Sequence, residues 1–421
     1  MKIETMAIRA GYQPKNGEPH TLPIYQSTTY EYTSSEYMAH LFDCPTEGHI
    51  YSRISNPTCG FVEDKIAAME GGVAAMLTTS GQSANLLAFL NICQAGDHIV
   101  AAGTVYGGTI NLLAVTLKRL GIECTFVNLD DDLETLQKAI RPNTRLVFGE
   151  TIANPAMAVM DIEKFAALAH NNNIPLFVDN TFATPVLCRP FEFGADVVIH
   201  STTKYMDGHA VQVGGVIVDG GKFDWRNGKF PEFTTPDPSY HGVVYADYGA
   251  PAFVTKCRMQ LMRDFGVYPS AQDAFLLDLG LQTLPLRVER HCRNAEKVAE
   301  YFSKHPKVEA VTYPALPGDK YHELQQKYLP GGCSGVISVT IKGPRANAEK
   351  FLNSLKLASI VTHVADIRTL VLHPASATHR QLTDEQLVAA GVNPGLIRFS
   401  TGCEHIDDIL ADIEQALAQI D

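Results

Sequence analysis

Residues 178–205 read VDNTFATPVLCRPFEFGADVVIHSTTKY, and the predicted organisation of the chain centres on them. The apolar run 174–178 predicts a buried parallel strand, and Asp179 follows it directly. A second, mostly apolar segment, 196–200, leads into Ser201, Thr203 and Lys204. Because ligands of open α/β sheets bind beyond the carboxyl ends of the strands, we expect Asp179 and Lys204 to share one crevice.

This pairing of an acid with an amine predicts a site for pyridoxal phosphate (PLP). The cofactor needs a lysine for its Schiff base, an acidic partner at the pyridine nitrogen and a cradle for its phosphate. Lys204 would supply the first, Asp179 the second, and Ser201 with Thr203 part of the third. Alternatively, Asp179 caps a helix and Lys204 is a solvated lysine; their joint position at consecutive strand ends favours the cofactor site.

The composition of the chain is that of a globular enzyme and argues against several kinds of partner. The chain has 421 residues, 45% of them hydrophobic and 19% charged, with a formal net charge of -12. Its length predicts two or three domains, and its composition is typical of a globular enzyme. The acidic balance argues against nucleic acid or an anionic membrane as a partner. We find no apolar run long enough for a membrane span and no signal core, so we expect a cytoplasmic protein.

Cysteine and histidine patterns give no sign of a metal site. Nine cysteines contain no C-x-x-C pair, and fifteen histidines contain no H-E-x-x-H. We therefore expect reduced, mostly buried thiols and no bound metal.

The order of predicted elements indicates an α/β fold in three parts. Predicted strands at 74–79, 98–102, 123–127 and 145–150 alternate with helices, which favours a large, mainly parallel sheet. We expect an arm over 1–60 that contributes to a neighbouring subunit, a PLP-binding α/β domain over 61–270, and a smaller C-terminal α+β domain over 271–421. Within the last part, helices are predicted over the ranges 286–303, 345–355, 384–390 and 404–420.

An aromatic segment, 222–265, interrupts the alternation of strands and helices. It contains Phe223, Trp225, Phe230 and Phe233. Long segments of this kind are often functional lids or binding surfaces. A contribution to the core or to a subunit contact is equally compatible with the pattern.

Three further motifs fit the same site, although each has an ordinary alternative. Gly81 and Gln82 lie where a strand leads into a helix, and backbone amides at a helix N-terminus bind phosphate. Tyr106 follows a predicted strand and could stack on a flat ring or belong to the core. Arg398 could clamp a substrate carboxylate or lie on the surface. No G-x-G-x-x-G motif is present, which argues against a nicotinamide dehydrogenase.

Taken in order, the motifs resemble the Cys/Met-metabolism branch of fold-type I PLP-dependent enzymes. The resemblance covers nearly the whole chain. It is carried by the segments YSRISNPT (51–58), SGQ (80–82), YGGT (106–109), ETIANP (150–155), VDNTFATP (178–185), STTKY (201–205), HPAS (373–376) and IRFS (397–400).

The resemblance implies a role for each matching residue. Lys204 would bond covalently to the cofactor, Asp179 would pair with the ring nitrogen, and Tyr106 would stack on the ring. The phosphate would be held by Gly81, Gln82, Ser201 and Thr203, and by Tyr51 and Arg53 of a neighbouring subunit. Asn154 would contact the ring hydroxyl or the substrate, and Arg398 with Ser359 would position the substrate carboxylate. The family usually forms homotetramers built as dimers of dimers.

Within this family, the O-acetylhomoserine sulfhydrylase branch fits best. The aromatic segment resembles an insertion of that branch, and Gly108 stands where methionine γ-lyases typically have cysteine. The implied reaction is γ-replacement on O-acetyl-L-homoserine by sulfide or a small thiol, giving homocysteine or methionine plus acetate. A cystathionine γ-synthase or a γ-lyase is the alternative. Departures from the family pattern at 209–212 and 365–370 leave the ester and the thiol open.

Overall fold

The computed structural model describes residues 1–43, 47–377, 380 and 393–420. Its larger sheet has seven strands in the order β1-β7-β6-β5-β4-β2-β3. Every pairing among strands β2 to β6 is parallel. Strand β7 runs antiparallel to both of its neighbours, β1 and β6. The strands are β1 (Ala74–Thr78), β2 (His98–Ala102), β3 (Glu123–Val127), β4 (Thr144–Glu150), β5 (Leu176–Asp179), β6 (Val197–His200) and β7 (Gly215–Asp219).

A smaller sheet follows, in the order β10-β11-β12-β9-β8. Only the pair β10–β11 is parallel; the other pairs are antiparallel. Its strands are β8 (Val308–Thr312), β9 (Val336–Ile341), β10 (Ser359–Ile360), β11 (Leu370–Leu372) and β12 (Leu396–Ser400). The mixed α/β architecture with one large, mostly parallel sheet agrees with the predicted fold class, and the division into three parts remains a prediction.

Helices cover both sheets and also form part of the N-terminal arm. The α-helices are α1 (Ile3–Arg9), α2 (Ser35–Asp43), α3 (Pro57–Glu70), α4 (Gly81–Leu90), α5 (Gly107–Asn111), α6 (Leu117–Arg119), α7 (Leu133–Gln137), α8 (Ile162–Asn171), α9 (Thr184–Leu187), α10 (Pro231–Thr234), α11 (Ala252–Cys257), α12 (Arg263–Phe265), α13 (Ala271–Gln282), α14 (Leu284–Lys304), α15 (His322–Tyr328), α16 (Arg345–Ser354) and α17 (Ile406–Leu417). Short π-helices at Leu112–Thr116 and Arg258–Met262 join α5 to α6 and α11 to α12. Within the described ranges, no helix is both long and apolar enough to cross a membrane.

The hydrophobic pattern located most of these elements to within a few residues. Strands β2 and β3 have the predicted bounds, and α14 extends the predicted helix 286–303 at both ends. The pattern did not predict β7, which pairs antiparallel with β6 along one of its edges. The helix predicted at 384–390 lies outside the described residues.

The aromatic segment 222–265 contributes to the hydrophobic core. The ring of Trp225 stacks on Phe233 at a centroid distance of 4.5 Å and on Phe253 at 5.3 Å. Phe230 packs edge-on against the same indole at 5.1 Å. All four side chains are buried. Because these rings pack on one another in the interior and Phe253 also packs edge-on against Phe177 of β5, the core interpretation of the segment applies to them.

Replacing Phe233 should test how much this packing contributes to stability. Phe233→Ala removes a fully buried ring from the Trp225 stack, and large-to-small changes of this kind cost about 3–5 kcal/mol. Urea denaturation followed by far-ultraviolet circular dichroism would measure the loss in unfolding free energy. Trp225 is the only tryptophan, so its emission should shift to the red in the variant.

The exposed Phe265 provides a matched control for this substitution. Its side chain is 54% exposed, and Phe265→Ala should cost less than about 1 kcal/mol. Equal losses for the two variants would contradict a core role for the aromatic segment.

Candidate active site

The carboxyl ends of the parallel strands open into a cavity of about 250 Å³. Residues that follow β1, β2, β4, β5 and β6 line one part of it, and β12 and the segment before β11 line another. Nine of the residues predicted from the sequence border this cavity: Gly81, Gln82, Tyr106, Asn154, Asp179, Ser201, Thr203, Lys204 and Arg398. Residues almost 320 positions apart therefore meet because strand ends converge at one edge.

Asp179 is fixed at the end of β5 by its neighbour Thr181. Its Oδ1 atom accepts hydrogen bonds from the backbone nitrogen of Thr181 at 3.0 Å and from the Thr181 hydroxyl at 2.5 Å. Burial raises the pKa of the Asp179 carboxyl, while the Thr181 hydrogen bonds and His200 act in the opposite direction. The hydrogen bonds engage Oδ1, so the second oxygen, Oδ2, can serve a ligand.

Lys204 enters the cavity from the loop after β6. Burial lowers the pKa of its amine to about 8, and the positive charge of Arg398 contributes to the shift. An amine with this pKa is partly neutral near physiological pH, and only a neutral amine can attack a carbonyl group or accept a proton. Lys204 therefore has the chemistry of a nucleophile and a general base.

The start of α4 forms a second wall with space for an anion. Ser80 caps this helix, since its hydroxyl oxygen accepts the backbone N–H of Ser83 at 3.0 Å. A Cβ atom added to Gly81 would lie only 2.7 Å from the Cβ of Ser201, so a larger residue would disrupt the close approach of the two segments. Unpaired N–H groups at a helix N-terminus favour phosphate.

Two predicted side chains at this wall have partners of their own. The Thr203 hydroxyl donates to the carbonyl of Gly214 at 3.1 Å and accepts its N–H group at 3.0 Å. The Gln82 side chain donates to the Gly108 carbonyl at 3.0 Å. This bond joins the start of α4 to the start of α5, and it does not involve the backbone amide of Gln82.

Tyr106 and Asn154 border the cavity on the side of β2 and β4. The Tyr106 side chain is 52% exposed, as expected for a ring that covers a ligand rather than one in the core. Asn154 is buried, and its Oδ1 atom has no hydrogen-bond partner among the described residues. A buried amide oxygen of this kind usually has a partner, so its isolation indicates a place for a ligand or water.

Arg398 reaches the cavity from the smaller sheet. Its Nη2 atom donates to the carbonyl oxygens of Thr362 at 3.0 Å and His363 at 2.9 Å, and burial lowers the pKa of the guanidinium to about 10. These bonds hold one edge of the guanidinium against the protein. The remaining N–H groups are suited to a carboxylate.

Three predicted residues do not border the cavity of a single chain. Ser359 is exposed in β10, and its backbone N–H donates to the carbonyl of Thr369. Tyr51 is 39% exposed, and the Arg53 guanidinium lies over the Tyr51 ring at 5.3 Å while it donates to the carbonyl of Arg263.

The sequence interpretation assigned no role to several residues that border the cavity. Thr362 and Val364 line it from the segment after Ser359, and Glu150 lines it from the end of β4. Glu150 could have been found from its position, because it ends a predicted strand that neighbours the one ending at Asp179. No local signal distinguishes Thr362 from Ser359, since both are hydroxyl residues of the short segment SIVT (359–362).

The residues present fit PLP. The cavity has an amine with a lowered pKa, an acid held by its own hydrogen bonds, a helix N-terminus and a buried arginine. The lone Oδ1 atom of Asn154 and the narrow gap between Gly81 and Ser201 add a polar contact and a backbone cradle. These are the groups that this cofactor and an amino-acid substrate require.

Known proteins of similar sequence cover the whole chain. An O-acetyl-L-homoserine sulfhydrylase of Leptospira meyeri is 45% identical over 433 residues, covering 100% of this chain and 97% of the relative. A protein of the same name from Corynebacterium glutamicum is 46% identical, covering 99% of this chain and 97% of the relative. A homocysteine synthase of Schizosaccharomyces pombe is also 46% identical, covering 99% of this chain and 98% of the relative.

Solved structures and a family model agree with these relatives. A crystal structure from Campylobacter jejuni, which carries N'-pyridoxyl-lysine-5'-monophosphate, superposes with a TM-score of 0.95 at 37% identity and covers 99% of this chain and 100% of that one. The family model described as Cys/Met metabolism PLP-dependent enzyme matches residues 4–418. From its sequence, its fold and the groups in its cavity, this chain belongs to the Cys/Met-metabolism family of PLP-dependent enzymes.

Proposed function

We propose that this enzyme catalyses γ-replacement on O-acetyl-L-homoserine, in which sulfide or a small thiol displaces acetate to give homocysteine or methionine. The ester Cγ–O bond breaks, its electron pair leaves with acetate, and a Cγ–S bond forms. The observation that supports this most is full-length similarity to relatives named for the O-acetylhomoserine reaction, in a chain whose cavity contains both Lys204 and Asp179.

The proposed roles of the ring-binding residues follow from their chemistry. Lys204 would form the covalent bond to the cofactor, Asp179 would pair with its ring nitrogen, and the exposed ring of Tyr106 would stack on it. When bound, PLP withdraws electrons from the substrate and so stabilises negative charge on the substrate carbons. Once the substrate amine has replaced it, the Lys204 amine would carry protons between those carbons.

Phosphate binding would use the start of α4 and the loop after β6. The Gly81 and Gln82 amides supply donors at the helix N-terminus, and the hydroxyls of Ser201 and Thr203 lie beside them in the cavity wall. The Thr203 hydroxyl would have to release its bond to Gly214, or share it, in order to donate to phosphate.

Substrate binding would place the α-carboxylate at Arg398. The fixed guanidinium suits bidentate binding, and Asn154 could contact either the substrate or the ring hydroxyl. The role predicted for Ser359 would require this exposed residue to approach the cavity, whereas Thr362 already lines it.

A shared site would explain the positions of Tyr51 and Arg53. In one chain they lie outside the cavity, on an arm that also exposes Ile24 and Tyr25. Exposed apolar residues of this kind favour a protein contact. We propose that Tyr51 and Arg53 of a neighbouring subunit complete the phosphate cradle and that such dimers pair into tetramers.

The reaction itself can be tested with three homoserine esters. Acetyl-, succinyl- and phosphohomoserine should each be assayed with sulfide, with cysteine and without a thiol. We expect the highest kcat/KM for the acetyl ester with sulfide, with acetate and homocysteine released in equal amounts. Cystathionine from the succinyl ester and cysteine would indicate a γ-synthase instead, and a keto acid formed without thiol would indicate a lyase.

Cofactor capture by the apoprotein should depend on pH through Lys204. Since the amine pKa is about 8, the rate of capture should rise as pH increases towards 8 and level off above it. Absorbance at the visible band measures this rate, and borohydride reduction should leave a pyridoxyl mass tag on Lys204.

Two variants provide the controls for this experiment. Lys204→Ala should give no tag at this position. Arg398→Ala should move the midpoint of capture to higher pH, because a neighbouring positive charge no longer disfavours the ammonium form. A tag on another lysine in the wild-type protein would contradict the proposed role of Lys204.

Mixed oligomers can test whether the site is shared. Arg53→Ala should weaken cofactor retention and Lys204→Ala should abolish turnover, so each variant alone should be nearly inactive. After equal amounts of the variants are dissociated and reassembled together, about half of the dimers should be mixed, and each mixed dimer should have one intact site of its two. About a quarter of wild-type activity should therefore return. Failure to recover activity despite proven mixed assembly would contradict the exchange of Arg53 between subunits.

A further inference from the structure

Glu150 is a buried acid at the cavity wall whose role the reaction described above leaves open. It ends β4, and its register partner on β5 is Asp179. Both carboxyl groups border the cavity, and Glu150 is only 6% exposed. The sheet therefore places two acids side by side where a single acid is sufficient for the ring nitrogen of PLP.

The two oxygen atoms of Glu150 have different environments. Oε1 accepts the backbone N–H of Tyr106 at 2.7 Å. Oε2 is buried and has no hydrogen-bond partner in the described part of the chain. An ionised carboxylate with one oxygen left in this state is costly, whereas a neutral acid with a proton on Oε2 carries no uncompensated charge.

The charged groups around Glu150 also favour the neutral form. Its register partner on the neighbouring strand is the acid Asp179, and the contact from the loop after β2 is the uncharged amide of Tyr106. The cavity cations Lys204 and Arg398 form no ion pair with it within the described residues. Burial first and the charge of Asp179 second raise the pKa of Glu150 well above its usual range.

We propose that Glu150 is a positioning residue that works as a neutral carboxylic acid, in which Oε1 fixes the backbone of Tyr106 and the proton on Oε2 leaves Asp179 as the only anion facing the cofactor ring. The proton on Oε2 is available for a hydrogen bond to a bound ligand or a water molecule. This inference rests on the proposed roles of Asp179 and Tyr106.

The neutral form makes a distinct prediction for an isosteric amide. Glu150→Gln keeps the shape, the acceptor for the Tyr106 N–H and a donor in place of the acid proton, and it changes no charge if the acid is already neutral. Glu150→Ala removes the acceptor and leaves the partly buried Tyr106 N–H group without this partner, and the loss of such a partner typically costs a factor of roughly 5 to 150 in an equilibrium when the group is cut off from water.

Cofactor binding and spectroscopy can separate the two variants. The Kd of PLP for the apoprotein should stay within about threefold of wild type in Glu150→Gln and rise about tenfold or more in Glu150→Ala. The pH midpoint of the visible band of bound PLP should be the same in wild type and Glu150→Gln. In Asp179→Asn this titration should change strongly, because that substitution removes the proposed ring partner.

Infrared difference spectra provide a direct readout of the proton. The wild-type protein at neutral pH should show the C=O stretch of a protonated carboxylic acid that is absent from Glu150→Gln. Absence of this band, or a Glu150→Gln midpoint displaced by about one pH unit or more, would overturn the proposal. If Glu150→Ala does not fold, the pH midpoint of Glu150→Gln and the infrared band still test the proposal.

The same experiments distinguish failure of this inference from failure of the proposed function. Wild-type protein could bind PLP and acquire the mass tag on Lys204 while Glu150→Gln displaces the pH midpoint of the visible band. In that case only the neutral-acid role of Glu150 is wrong. If wild-type protein does not bind PLP at all, the proposed site is wrong and the role of Glu150 falls with it.

Discussion

The hydroxyl of Thr181 connects the two strand ends on which the site depends. It donates to Asp179 Oδ1 at 2.5 Å and accepts the backbone N–H of Ser201 at 2.9 Å. The acid after β5 and the lysine loop after β6 are therefore held to each other through one side chain. Without this link, two adjacent loops could move separately, and the acid and Lys204 would lose their fixed relation.

Burial gives these groups their chemical properties. Strands β4, β5 and β6 lie in the interior of the sheet; Glu150 and His200 at the ends of β4 and β6 are buried, and Asp179 at the end of β5 is partly buried. Desolvation penalises every charge at this edge: it lowers the pKa of Lys204 and raises those of Asp179 and Glu150. This environment favours a neutral Lys204 amine, and the Thr181 hydrogen bonds that oppose the effect of burial on Asp179 have no counterpart at Oε2 of Glu150 within the described residues.

The smaller sheet supplies the remaining wall of the cavity. Arg398 comes from β12, and it donates hydrogen bonds to the segment after β10, which also supplies Thr362 and Val364. The segments 209–212 and 365–370, which depart from the family pattern, are also joined, since the Ile367 N–H donates to the Gly208 carbonyl and Arg368 donates to that of His209. The two segments that depart from the family pattern in sequence are therefore neighbours in the fold.

The sequence by itself determined the alternation of strands and helices, the strand ends at Asp179 and Lys204, and the family. These features are local, because hydrophobic period and short motifs are encoded by neighbouring residues. The antiparallel direction of β7 and the place of Thr362 rather than Ser359 at the cavity became visible only in the folded chain. The same holds for Glu150, which lies beside Asp179 with one oxygen that has no hydrogen-bond partner among the described residues. Those facts depend on strand register and on which buried atoms lack partners, and both are set by packing between segments that are distant in the chain.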